Sequence, residues 1–105
     1  MEIKYKTNND GVYAYLSGEL DECTAEYVRM SLDTLLKDLS IVESSKLVLD
    51  FSNVSFMDST GIGVLLGRYN KFIKNNIEMC IQNAYGHVDR ILKMTGIYEI
   101  MPKIS

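Results

Sequence analysis

Apolar and polar residues alternate through EIKYKT at 2–7 and again through VYAYLS at 12–17, the two-residue period of half-covered strands. NNDG between them is a turn cluster whose Gly11 is free to take a positive φ. The pair predicts a β-hairpin with Ile3 and Tyr5 on one face of its first strand, and Gly18 is expected to end the second. The period then changes. In DECTAEYVRMSLDTLLKDL the residues Ala25, Val28, Leu32, Leu35, Leu36 and Leu39 recur at threes and fours, the stripe of an amphipathic helix. Asp21 or Thr24 can cap its start. Polar residues at 40–45 lead to KLVLDF at 46–51, a nearly continuous apolar run that fits a strand buried on both faces.

A loop is expected over 52–59, and a second helix from about 60 to 74 with Ile62, Leu65, Leu66, Tyr69, Phe72 and Ile73 inward. Arg68, Lys71 and Lys74 fall mainly outside that stripe. IEMCIQN at 77–83 reads as a fourth strand, and a third helix over roughly 85–95 buries Val88, Ile91 and Leu92. A short strand, IYEI, is expected after Gly96. Strands alternating with helices imply an α/β domain: a mostly parallel mixed β-sheet of four to five strands, an N-terminal hairpin and three or more helices.

Composition narrows the class. A chain of 105 residues makes one domain, and by surface scaling it buries roughly 65% of its unfolded surface, enough for a core without staples. Eleven basic against fourteen acidic side chains leave a net charge of −3, which argues against direct nucleic-acid binding. Cys23 and Cys80 lie far apart, match no metal spacing and read as free thiols of a reducing cytosol. No apolar run approaches a membrane span, and the N-terminus lacks the apolar stretch of a signal peptide. No cofactor motif stands out.

The candidate chemistry lies in SFMDSTGI at 55–62, where a strand gives way to a helix. In an open α/β sheet, ligands and partners meet the loops beyond the carboxyl ends of the strands. The free N–H groups of a helix start favour negative charge there. Two readings of Asp58, Ser59 and Thr60 follow: they cap the helix, or one hydroxyl is an exposed acceptor for a phosphate that the helix end tolerates. Met57 is either a core anchor or an exposed contact, and Gly61 permits close approach of another backbone.

The long motif SFMDSTGIGVLLGRY, LSGELDECTAE at 16–26 and ILKMTGIYEI at 91–100 together resemble bacterial anti-sigma factor antagonists of the STAS domain family, over nearly the whole chain. The resemblance implies a STAS fold and a non-enzymatic partner switch. The antagonist binds an anti-sigma factor that is also a GHKL-type serine kinase, and so releases a sigma factor. Phosphorylation of the Ser that follows the Asp, here Ser59, turns binding off, and a PP2C-type phosphatase restores it. The implied partner face comprises Asp21, Met57, Asp58, Ser59, Thr60 and Gly61. LGRY at 66–69 and MTGIYEI at 94–100 are most similar to the sporulation branch, with the general-stress branch second. Glu22, Cys23 and the proline-free NAYGH depart from the pattern, which bears on partner preference.

Rival readings are weaker. Gly61, Gly63 and Gly67 are spaced one residue too long for a dinucleotide fingerprint, and Gly63 and Gly67 are expected to thin a helix face for packing. A hydrolase would need a base beside Ser59, and the only histidine is His87, near the start of helix three. A STAS nucleotide-binding or scaffold module without phospho-switching is the alternative function.

Overall fold

The two apolar periods of the chain fold into a four-stranded sheet with helices packed on it. The computed structural model describes residues 1–9, 11–39 (Leu39 by its backbone alone) and 46–105; Asp10, the Leu39 side chain and the expected connection 40–45 lie outside the described residues. In chain order the elements are β1 (Glu2–Asn8), β2 (Gly11–Leu20), α1 (Ala25–Leu39), β3 (Lys46–Met57), α2 (Ser59–Ile73), β4 (Glu78–Gln82), α3 (Gly86–Met94) and α4 (Ile97–Ile100). The sheet order is β1-β2-β3-β4, with β1 antiparallel to β2 and the other pairs parallel. Gly11 opens β2 at φ +142°, and a Cβ there would stand 2.1 Å from the Lys46 carbonyl oxygen, so no other residue fits.

One face of the sheet makes the core. Lateral rows Val12–Leu47–Met79 and Ala14–Leu49–Ile81 join Val28 and Leu32 of α1, Leu65 and Phe72 of α2, Val88 and Leu92 of α3 and Ile97 of α4 in a single cluster. Each fully buried Leu or Phe contributes roughly 1.5–3 kcal/mol, so this cluster holds the helices down.

The third strand runs six residues past its expected end. Register slips between Tyr15 and Ser17 and between Gly18 and Glu19 each insert one extra residue into β3. Buried positions therefore fall at Phe51, Val54 and Met57, every third residue instead of every second. That spacing hides a strand from a period-two reading, and the loop expected over 52–59 is replaced by sheet. β2 also runs on, by two residues: Glu19 pairs with Phe56 and Leu20 with Met57, so Gly18 lies within the strand and does not end it.

On α2 the inner face is rotated from expectation. Val64 is buried, whereas Leu66 and Ile73 are exposed and Tyr69 is half-buried. At 100° per residue Gly61, Leu65, Arg68 and Phe72 fall within about 60° of one another, which puts Arg68 on the inner face. Its side chain is only 11% exposed, and Nε lies 3.3 Å from Asp33 Oδ1 of α1, an ion pair without hydrogen-bond alignment. Gly63 and Gly67 point the other way: a Cβ at either meets nothing within 4 Å, so they do not thin a packed face.

IYEI is a helical turn, not a strand. Gly96 at φ +78° ends α3 and opens α4, so Ile97 and Met101, one turn apart, both enter the core. The place beside β4 goes to the tail: Ile81 N–H donates to Pro102 O at 2.9 Å and Ile104 N–H to Ile81 O at 2.8 Å. Asp89 fastens this tail. It accepts from Tyr98 Oη at 2.7 Å and Lys103 Nζ at 2.8 Å, with Lys93 Nζ at 3.2 Å. Lys103 and Tyr98 hold its carboxyl well below the usual carboxylate range. A depressed folded pKa gives stability that is full above the unfolded value near 4 and is lost as pH falls through the folded value. Asp89→Asn is therefore expected to lower stability at neutral pH by less than about 1 kcal/mol, the lysine partners being partly exposed to solvent, read as a lower urea midpoint whose decline below about pH 4 is flattened.

Candidate functional site

The paired ends of β2 and β3 bring two distant sequence motifs together. Leu20 lies opposite Met57, and Asp58 N–H reaches Leu20 O at 3.4 Å. Just beyond, Asp21 Oδ1 accepts from Cys23 N–H at 2.9 Å and Thr24 N–H at 3.2 Å, making the turn into α1. Thr24 Oγ1 straps that turn to Glu19 O at 2.7 Å, so Asp21 and Thr24 share the capping work.

Asp58 does the same for α2. Its backbone is extended (φ −123°, ψ −169°), and Oδ1 accepts from Thr60 N–H at 2.9 Å and Gly61 N–H at 3.4 Å. Asp58→Ala removes this cap and is expected to cost about 1 kcal/mol, read as a lowered urea midpoint with unchanged slope. The cap also fills the anion position of the helix start. Two of the N–H groups of that helix start, those of Thr60 and Gly61, are thus already bound to a carboxylate.

Ser59, the first residue of α2, is exposed, and Thr60 and Asp58 are half-buried beside it. Asp21, half-buried, belongs to the same surface. Met57 and Gly61 do not reach solvent. Met57 is fully buried, which settles its side chain as a core anchor. Gly61 is packed so closely on β2 that an added Cβ would stand 2.9 Å from Leu20 Cγ and 3.0 Å from Leu20 O.

A third wall was not visible in the sequence. His87, at the start of α3, places Nε2 3.1 Å from Met57 O, and its ring stacks on Phe56 at 5.6 Å with 20° between planes. Phe56 is exposed, three residues before Ser59, so the stacked Phe56–His87 pair lies at the end of β3 from which Ser59 follows. The signal available was Phe56 itself, an apolar residue out of phase with its buried neighbours.

This geometry does not make the rival sites. Asp58 alone joins β3 to α2, Gly61 is turned into the protein, and no glycine-rich loop remains between them to cradle phosphates. His87 Nε2 is engaged by a backbone carbonyl, not by Ser59. Among the described residues no group of three His, Cys, Asp or Glu can hold a metal, and no helix is long and apolar enough to cross a membrane.

The sequence matches the STAS domain family over residues 2–105. It is 35% identical to the anti-sigma F factor antagonist of Paenibacillus polymyxa over 97% of this chain and 85% of that one. It is 29% identical to the anti-sigma-B factor antagonist of Listeria monocytogenes over 96% and 84%. The fold is that of the Bacillus cell fate determinant SpoIIAA in its phosphorylated form, with TM-score 0.70 and 22% identity over 99% of this chain and 92% of that one. By sequence and by fold, then, the chain belongs to the STAS domain family as an anti-sigma factor antagonist, a regulator and not an enzyme.

Proposed function

We propose that this antagonist is a phosphorylation-controlled partner switch with Ser59 as its acceptor. In its unmodified form it binds an anti-sigma factor that carries a GHKL-type serine kinase, and so frees a sigma factor. Transfer of phosphate to Ser59 turns that binding off, and a PP2C-type phosphatase restores it. The observation that carries this reading is the exposed Ser59 hydroxyl at the head of α2, on the surface it shares with Asp21, Asp58 and Thr60. Met57 and Gly61 serve that surface from beneath, as anchors. Higher identity to the sigma F antagonist than to the sigma-B antagonist favours the sporulation branch. The cytosol is the compartment we assign, in keeping with two free thiols, Cys23 exposed and Cys80 buried.

The test is to incubate the chain with lysate of its native host and Mg-ATP and to sequence the tryptic peptide Leu47–Arg68 by tandem mass spectrometry. Phosphate on Ser59, absent from Ser59→Ala, is the expected result. Capture of a partner without phosphate supports a binding module lacking this control. Neither phosphate nor partner returns Ser59 to an ordinary helix start.

A further inference from the structure

Asp50 is the one buried polar or charged residue among the described ones, 4% exposed in the middle of the sheet. It lies on the face away from the main core, in the lateral row Lys4–Tyr15–Asp50–Gln82. Its carboxylate accepts four hydrogen bonds, all from neutral donors. Oδ1 takes Ser52 N–H at 2.9 Å and Ser52 Oγ at 2.6 Å. Oδ2 takes Gln82 Nε2 at 2.8 Å and Asn83 Nδ2 at 2.9 Å. Burial pushes this carboxyl up, but the bonds from Ser52, Gln82 and Asn83 together outweigh it and leave the group below its ordinary value. The charged form is the one the site is built around. An aliphatic residue would fill the same place in a strand without the cost of desolvating an ion.

The reason for an ion here lies in what it bonds. Ser52 N–H, two residues on, is drawn into an Asx turn. That turn sits where the register slips from Tyr15↔Asp50 to Ser17↔Asn53, the first bulge of β3. The other oxygen holds the last residue of β4 and the residue after it, so one carboxylate clamps the bulge to the neighbouring strand's exit. Everything downstream depends on that bulge. A one-residue slip turns every following side chain to the opposite face, and Val54, Met57 and then Asp58 and Ser59 come next in the chain.

Building on the reading of Ser59 as acceptor, we infer that Asp50 is a positioning residue for it: the Asp50–Ser52–Gln82–Asn83 clamp fixes the β3 bulge and so the register in which the strand delivers Asp58 and Ser59 to the partner. Asp50→Asn keeps an oxygen for Ser52, and the Gln82 and Asn83 amides can turn to meet its NH2, so it retains most of the clamp. Asp50→Val keeps the volume and loses the clamp.

The experiment compares wild type, Asp50→Asn, Asp50→Val and a control, Val12→Ala, which opens the core at the far end of β2. Each is assayed well below its Tm with the anti-sigma factor kinase and Mg-ATP, and the Ser59 and Thr60 amides are followed by 15N NMR. Asp50→Val is expected to lower kcat at least tenfold with KM changed less than threefold and to move both amide signals. Asp50→Asn recovers most of kcat, and Val12→Ala changes neither readout. Wild-type kcat with unmoved amides in Asp50→Val overturns the inference, as does an equal loss in Val12→Ala. If Asp50→Val does not fold, a normal kcat and unmoved amides in Asp50→Asn support the clamp's tolerance of Asn, and the double variant Gln82→Leu/Asn83→Leu takes over the decisive comparison. If wild type accepts no phosphate, the acceptor reading fails instead, and the amide shifts alone decide whether Asp50 sets the register.

Discussion

Ser59→Asp is expected to weaken binding to the anti-sigma factor about a hundredfold, or about 2.8 kcal/mol, while leaving Tm within about 2 °C of wild type. The two effects separate because the charge lands on an exposed residue in the first turn of α2. For the free protein an acidic side chain in that turn is favourable to the helix dipole. The Asp58 carboxylate next to it, already bound to Thr60 and Gly61 N–H, is a modest repulsive neighbour in water. In the complex the balance reverses. Docking removes water from two adjacent carboxylates, and a charge desolvated without a cationic partner costs several kcal/mol. A phosphate, with about −1.5 to −2 charges, acts in the same direction and more strongly. Calorimetric titration of the purified partner checks the affinity, and a melt of the free chain checks the fold. Wild-type affinity, or a variant that no longer folds, would sink the switch. Thr60→Ala should bind and accept phosphate as wild type does.

The free protein tolerates the charge because the start of α2 is already satisfied, and only part of the reason is legible in the sequence. Asp58, Ser59 and Thr60 were legible as a cap with an exposed hydroxyl because capping chemistry is local: three residues and their own backbone decide it. The side-by-side placement of Asp21 and Asp58 came through the family resemblance, since register between strands leaves no local trace. The bulges of β3 were not legible. A strand whose buried residues fall at 51, 54 and 57 breaks the two-residue rule, and Ser52, Asn53 and Ser55 look like a loop. The side chain bonded at the first bulge, Asp50, has its partners at the end of β4 and just beyond it, Gln82 and Asn83, more than thirty residues away.

Elsewhere the same division holds. The hairpin, α1 and the order of elements through α3 follow from periodicity and turn residues. The apolar stripe of α2 does not fix its edges, because Leu66 and Ile73 are as apolar as Val64 and only the packing of the folded helix selects among them. Arg68 falls mainly outside the apolar stripe expected from the sequence, yet its stem lies on the inner face and Asp33 of α1 pairs with the guanidinium. IYEI suits a strand and a helical turn equally well. Gly96 and the packing of Ile97 and Met101 decide for the turn, and residues 102–105 take the sheet edge instead.

Gly61→Ala puts the link between packing and acceptor geometry to its hardest test, because one methyl group acts on both. The new Cβ would stand 2.6 Å from Met57 Cγ, 2.9 Å from Leu20 Cγ and 3.0 Å from Leu20 O. Met57 and Leu20 are fully buried and have no room to retreat, and the carbonyl belongs to the strand that pairs with β3. Alanine gains up to about 1 kcal/mol over glycine within a helix, whereas overpacking a filled core costs about 1–3 kcal/mol. With a Cβ under 3 Å from two buried side chains the cost falls at the upper end and the clash wins, with a net loss of up to about 2 kcal/mol. Relief comes by lifting the first turn of α2 from β2, which carries Ser59 and the Asp58 cap with it. Phosphate transfer to Ser59 should therefore fall at least about tenfold even where the variant is fully folded, since small misplacements of a reacting group are costly. Gly63→Ala is the control, two residues along the same helix with nothing within 4 Å of its Cβ. It should raise stability by up to about 1 kcal/mol, read as a higher urea midpoint. Equal stability changes at the two positions would mean that Gly61 is not the contact that seats α2 on β2, and that Ser59 is held in place by the cap alone.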